Sequence, residues 1–284
     1  MINTFYNGTF ASYEQIRIPL TDRSIFFADA VYDVAIGRGR QIYQINEHLN
    51  RLFKSAEKVG IDTPNEAELR KSITEISKYD EEECFTLYIQ LSRYNERRNH
   101  VPDKQSITNV LAFTEKTRIC ENTETVSLIS DTDKRHGICD VKSTNLLCAV
   151  LSSEKAKKQG CDECVYIRNG YITECAKSSI FMVKSNQLFT YPLDNCILPS
   201  ITRKNIIEFS RATGIECFER KFTYTDLLSA DEVFICSTTK FLRSITKIDG
   251  IDIQSKNPIF ARKFHRMLLD DFYSKTSNIT TDFM

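Results

Sequence analysis

DVKSTNLLCAVL, residues 140–151, sets a lysine between an apolar strand end and the start of a helical pattern. Lys142 is flanked by Ser143 and Thr144 rather than by other charges. A lysine so placed can be a Schiff-base nucleophile, because desolvation lowers the ammonium pKa and exposes the amine lone pair. A solvated lysine ahead of a surface helix has the same local sequence, so Lys142 acquires meaning only from what surrounds it.

Downstream lie two further stretches with chemical potential. In ILPSITRKNII (197–207), Ile201 and Thr202 open an apolar-periodic helix whose first N–H groups lack intrahelical acceptors and can hold a phosphate. A plain Thr cap is the bland alternative. In CSTTK (236–240), Ser237, Thr238 and Thr239 follow directly on the apolar strand EVFI and offer hydroxyl and N–H donors, as an ordinary hydroxyl-rich turn also does. No G-x-x-x-x-G-K or G-x-G-x-x-G loop is present, which disfavours nucleotide binding by those routes.

Upstream, FYNGTF carries the Asn7-Gly8 pair of a tight hairpin, and AVYDVAIG resumes as QIYQI after a break at Gly37 to Arg40. Leu49, Leu52, Phe53, Ala56 and Val59 recur at helical spacing, with Asn46 as N-cap and Gly60 as stop. A second helix is predicted over Glu66 to Ser77, then strands FTLYIQLSR and TNVLAF. Polar residues at 114–125 mark a domain boundary, giving domains 1–118 and 119–284 of α+β class. Beyond it strands recur, with turns at Asn169-Gly170 and Lys184 to Asn186 and helices near 145–159, 202–213 and 257–274.

Composition removes several function classes. Lys+Arg and Asp+Glu both number 38, so no global field draws the chain to nucleic acid or an anionic membrane. No apolar run approaches a bilayer span and MINTFYNGTF lacks a signal-peptide pattern, so a cytoplasmic location is expected. The ten cysteines are scattered and read as free thiols; Cys161-x-x-Cys164 lacks a second ligand pair, so no metal site is expected. His48, His136 and His265 receive no role.

EHLNRLFKSAEK, RRNH, DVKSTNLLCAVL, ITECAKSSIF, ILPSITR and ICSTT stand in the order and spacing of the fold-type IV, or class IV, pyridoxal-5′-phosphate (PLP) aminotransferases, which the chain resembles over nearly its whole length. Within them it resembles the D-amino-acid aminotransferases. The resemblance implies a small N-terminal α/β domain, a larger C-terminal PLP-binding domain with a pseudo-barrel sheet, and a homodimer with active sites near the subunit interface.

It also implies roles. Lys142 would form the Schiff base with PLP and shuttle the substrate Cα proton. Glu174 would keep the pyridine nitrogen protonated, making the ring an electron sink. Arg51, the backbone at Ile201 and Thr202, and donors from Ser237 and Thr238 would hold the phosphate. Leu198 would pack against the ring. Tyr32, with Arg98 and His100 of the neighbouring subunit, would hold the substrate α-carboxylate and so decide which enantiomer presents its Cα proton to the lysine; a solvated basic loop is the other reading of ERRNH.

The implied reaction moves an amino group from a D-amino acid such as D-alanine to a 2-oxo acid such as 2-oxoglutarate. A branched-chain L-amino-acid aminotransferase and a 4-amino-4-deoxychorismate lyase are the alternatives on the same fold, and a non-catalytic relative is a third. The chain departs from many relatives at Cys175, Lys177, Ser179 and Ser200. Lys177, Arg38 and Arg40 could reach substrate, though solvent exposure is the simpler expectation for each.

Overall fold

The computed structural model describes residues 2–80, 83–94, 96–102, 107–253 and 258–277. They fall into two compact units: Met1–Ile119 with Val141–Asn145 and the chain from Tyr273 onward, and Cys120–Asp140 with Leu146–Phe272. Lys142 is therefore carried by the first unit, although it follows the boundary read from the sequence.

In the first unit, β1 (Thr4–Tyr6), β2 (Thr9–Ala11), β3 (Ala30–Arg38), β4 (Gln41–Ile42), β5 (Cys84–Ser92) and β6 (Asn109–Thr117) form one antiparallel sheet in the order β2-β1-β6-β5-β3-β4. The first hairpin turns through Asn7 and Gly8 at φ 45° and 86°, the left-handed pair a two-residue turn requires. At Gly37 a Cβ would collide with the Phe85 ring and come within 2.7 Å of the Gln41 carbonyl, so only glycine lets the β3–β4 hairpin close there.

Period-two alternation points Val31 and Ala35 of β3 and Leu87, Ile89 and Leu91 of β5 into one core. That core takes Leu49, Leu52 and Ala56 from α2 (Ile45–Lys58) and Leu69, Ile73 and Ile76 from α3 (Glu66–Ile76). Full burial of each large aliphatic side chain contributes about 1.5–3 kcal/mol. Asn46 is not the cap of α2: Gln44 takes that place in a left-handed conformation, and the Asn46 side chain accepts from Arg70 Nη2 at 2.7 Å. Gly60 does end the helix, at φ 70°. The short helix α1 (Arg23–Phe27), capped by Asp22, has no apolar periodicity long enough to predict.

The second unit is a nine-stranded sheet curled into a half-barrel. Its path is β12-β11-β10-β13-β14-β7-β8-β9, with β15 (Ile251–Asp252) beside β14, where β7 is Glu124–Thr132, β8 Glu163–Arg168, β9 Tyr171–Cys175, β10 Ser179–Lys184, β11 Gln187–Thr190, β12 Cys217–Glu219, β13 Glu232–Ser237 and β14 Phe241–Ile248. β6 runs to Thr117, so the polar stretch of the sequence shrinks to a link of residues 118–123.

β7 and β8 pair in parallel, joined through α4 (Leu147–Lys158) as a βαβ crossover, with Ala156 packed among Ile129, Cys164 and Tyr166. α5 (Ile201–Ala212), α6 (Tyr224–Leu228) and α7 (Ile259–Ser277) are the remaining helices among the described residues. Asn257, where the sequence places the start of the last helix, lies outside the described residues. The Glu232 carboxylate accepts from the Phe260 and Ala261 N–H groups at 3.0 and 3.1 Å, a fixed anion at the α7 N-terminus. No helix among the described residues is long and apolar enough to cross a membrane.

Candidate active site

Lys142 is tied to β3 by main-chain pairing. The Tyr32 N–H donates to the Lys142 carbonyl at 2.8 Å, Thr144 N–H to the Ala30 carbonyl at 3.1 Å, and Val31 bridges Ser143. The Lys142 N–H donates to Ser55 Oγ of α2 at 3.2 Å, and its Nζ lies 4.5 Å from the centroid of the Tyr32 ring. Among the described residues no carboxylate pairs with this amine. Tyr32 is itself held by a stack: its ring lies 5.4 Å from Tyr88 at 18°, and Tyr88 lies 4.8 Å from Phe113 at 20°.

Strand alternation turns Asp33 to the opposite face, onto α2. Arg51 Nε donates to Asp33 Oδ2 at 2.7 Å and Nη2 to Oδ1 at 2.8 Å, and His48 Nδ1 lies 2.7 Å from Oδ1. All three are buried. Burial alone would raise the Asp33 pKa, but the Arg51 charge and the His48 hydrogen bond outweigh it and hold the carboxyl well below its usual range. His48 is held below its ordinary value chiefly by burial, with Arg51 and Lys142 adding to it and Asp33 opposing. Arg51 thus faces a carboxylate of its own unit.

Arg98 and His100 are exposed. The Phe27 ring seats both, with the Arg98 guanidinium carbon and the His100 ring each 5.2 Å from its centroid. Among the described residues they make no hydrogen bond to Tyr32 or Lys142 within the chain. Arg38 turns to the end of α7, donating to Ser277 Oγ at 3.1 Å and lying over Tyr273, while Arg40 is exposed.

In the second unit, Glu174 of β9 is buried and accepts the Leu198 N–H at 3.2 Å and Arg135 Nη1 on Oε1. Arg135 also grips Asp133, Nε to Oδ1 at 3.0 Å and Nη2 to Oδ2 at 2.9 Å, and lies 4.6 Å over the Tyr166 ring. Burial works against the Arg135 charge, but Asp133 and Glu174 outweigh it and raise its pKa. From Leu198 the chain passes to Ser200, which caps α5 by accepting the Arg203 N–H at 3.2 Å, so Ile201 and Thr202 are the first residues of that helix, as expected. Ser237 ends β13, and both it and Thr238 are half-buried.

Glu163, fully buried, anchors the turn after Glu174. It accepts the Lys177 N–H at 2.8 Å, Ser178 Oγ at 3.1 Å and Arg243 Nη2 at 2.8 Å, leaving the Lys177 side chain exposed. None of the ten cysteines is in a disulfide, and burial pushes the Cys164 thiol up to about 12. Among the described residues no group of three or more His, Cys, Asp or Glu could hold a metal.

Asp33, His48 and Arg135 escaped the sequence reading. Asp33 is the one charged residue inside the apolar run AVYDVAIG, and His48 precedes Arg51 by one helical turn, so a buried pair was legible there. Nothing in KRHGICD singles out Arg135.

The family model of amino-transferase class IV matches residues 30–248. The chain belongs to the class IV aminotransferases. This class IV aminotransferase is 33% identical over 260 residues to a D-alanine aminotransferase of Bacillus licheniformis, covering 90% of this chain and 92% of that one. Its fold matches a branched-chain aminotransferase from Thermoproteus uzoniensis with norvaline, with TM-score 0.86 at 21% identity over 96% and 98% of the two chains. It also matches a hypothetical aminotransferase from Mycobacterium tuberculosis in its PLP-bound form, with TM-score 0.83 at 18% identity over 96% and 99%. Class IV aminotransferases are PLP-dependent transferases. Each unit by itself carries a group that suits that cofactor: among the described residues, the Lys142 amine has no carboxylate partner, and Glu174 is a buried carboxylate.

Proposed function

We propose that the enzyme transfers the amino group of a D-amino acid, D-alanine among them, to a 2-oxo acid such as 2-oxoglutarate. The observation that carries this reading is the one-third identity to D-alanine aminotransferase over nine-tenths of the chain. The branched-chain enzyme is similar at a level that speaks for fold alone.

PLP, when bound, supplies the electron sink that makes the substrate Cα proton labile. Lys142 would hold the cofactor and move the proton at the substrate Cα, its backbone fixed by Tyr32 and Ser55. Glu174 would hold the ring nitrogen, its carboxylate oriented by Arg135 and the Leu198 N–H. Leu198 would pack against the ring. Arg51, oriented by Asp33, would bind phosphate, as would the N–H groups of Ile201 and Thr202 and the donors of Ser237 and Thr238. Tyr32 with the Arg98 and His100 of a second subunit holds the α-carboxylate. Exposure of both residues in the single chain accords with a homodimer, and the bacterial relatives accord with a cytoplasmic enzyme.

Purified enzyme given D-alanine and 2-oxoglutarate should yield pyruvate and glutamate. Turnover of L-leucine or L-valine with none of D-alanine would overturn the D-specific reading and favour the branched-chain one; pyruvate release from aminodeoxychorismate alone would favour the lyase.

A further inference from the structure

One buried guanidinium organises the strap that bears Arg98 and His100. Arg23, 4% exposed, donates from Nε to Asp29 Oδ2 at 2.8 Å, from Nη1 to the Glu96 carboxylate and to the Asn99 carbonyl at 2.5 Å, and from Nη2 to the His100 carbonyl at 3.2 Å. Its Cζ lies 4.7 Å from the centroid of Phe27, the ring that also seats Arg98 and His100. Main-chain bonds bring the strap to this point, Arg93 N–H to the Asp29 carbonyl and Glu96 N–H to the Thr21 carbonyl, both at 3.0 Å. Among the described residues, the stretch from 97 to 100 is tied to α1 by the two carbonyls on Arg23 and by the shared Phe27 ring.

The geometry has a directional consequence. Drawing the consecutive carbonyls of Asn99 and His100 to one inward cation turns the backbone toward Arg23 and leaves the Arg98 and His100 side chains outside. A planar guanidinium can serve four acceptors at once, whereas a lysine is a point charge that cannot span them. Asp29 and Glu96 also supply the negative charge that lets Arg23 and Arg93 sit together on one carboxylate.

We infer that Arg23 is a positioning residue for carboxylate recognition, setting where Arg98 and His100 present themselves to substrate. This rests on the proposed carboxylate role of those two residues. A displacement of about 1 Å at such a site lowers turnover on the order of 100-fold, so the effect is measurable without unfolding the enzyme.

The test compares Arg23→Met, Arg23→Lys, Arg98→Met and the double variant Arg23→Met/Arg98→Met as holoenzymes. For each, kcat and KM for D-alanine and the visible band of bound PLP are measured. Arg23→Met should raise KM and lower kcat/KM by about 10- to 100-fold at full PLP content, Arg23→Lys should fall between it and wild type, and the double variant should be no worse than Arg98→Met. A wild-type KM in Arg23→Met, a double variant losing the product of the two single losses, or a loss that follows PLP content would overturn the positioning role. If Arg98→Met itself keeps a wild-type KM, the carboxylate reading fails, and the Arg23 role with it. Should Arg23→Met not fold, Arg23→Lys carries the same comparison of KM with PLP content.

Discussion

Arg51 and Asp33 meet through two parallel hydrogen bonds of 2.7 and 2.8 Å, buried between α2 and β3, with His48 on the same carboxylate. The pair shares its strand with Tyr32 and its helix with Ser55, the two residues that hold the Lys142 backbone. Breaking a buried ion pair from one side costs about 3–5 kcal/mol, because the remaining charge is left uncompensated. Asp33→Ala should therefore lower the urea midpoint of the first unit steeply and weaken PLP binding; an unchanged midpoint would show that Arg51 finds another partner.

Acid should erode the same cluster in two windows. His48 is held neutral below its usual pKa, so the unfolded ring takes a proton below about pH 6.5 that the folded ring refuses. Asp33, depressed when folded, contributes stability that is present above the ordinary carboxylate pKa of about 4 and is lost as pH falls toward its folded value. Urea midpoints measured from neutral pH down should decline less below about pH 6 in His48→Asn than in wild type. Equal slopes would mean that His48 carries no such linkage.

Glu174 and Arg135 should separate catalysis from stability. Glu174→Gln keeps the shape and the Leu198 contact but removes the anion, so PLP should still bind while kcat falls by about 100-fold. Arg135→Met leaves Glu174 and Asp133 without their shared cation, so it should slow turnover and also lower the melting temperature. Equal melting losses in both variants would remove the distinction.

Subunit mixing tests whether Arg98 acts across a dimer. Lys142→Ala and Arg98→Met homodimers should each be impaired. Their one-to-one mixture after subunit exchange should recover about a quarter of wild-type activity, since half the dimers are mixed and each of those has one intact site. No recovery in confirmed mixed dimers would place Arg98 in the site of its own chain.

Local patterns were the most legible. Asn7-Gly8, the α2 stripe ending at Gly60, and the α5 start at Ile201 are each written within a few neighbouring residues, and the structure has them. What escaped depends on partners distant in sequence. Arg135 matters because Glu174, on another strand, faces it, and Arg23 because residues 96–100 fold back over α1. The α2 cap was misread because Gln44 enters the helix through a left-handed backbone, which a glutamine does not advertise.

The most direct test of the central claim is the visible spectrum of the purified holoenzyme as D-alanine and, separately, L-leucine are added without a 2-oxo acid. D-alanine alone should convert the band of bound PLP to that of the aminated cofactor, with Lys142→Ala unable to respond. Conversion by L-leucine and not by D-alanine would contradict the assignment while leaving the class IV fold in place.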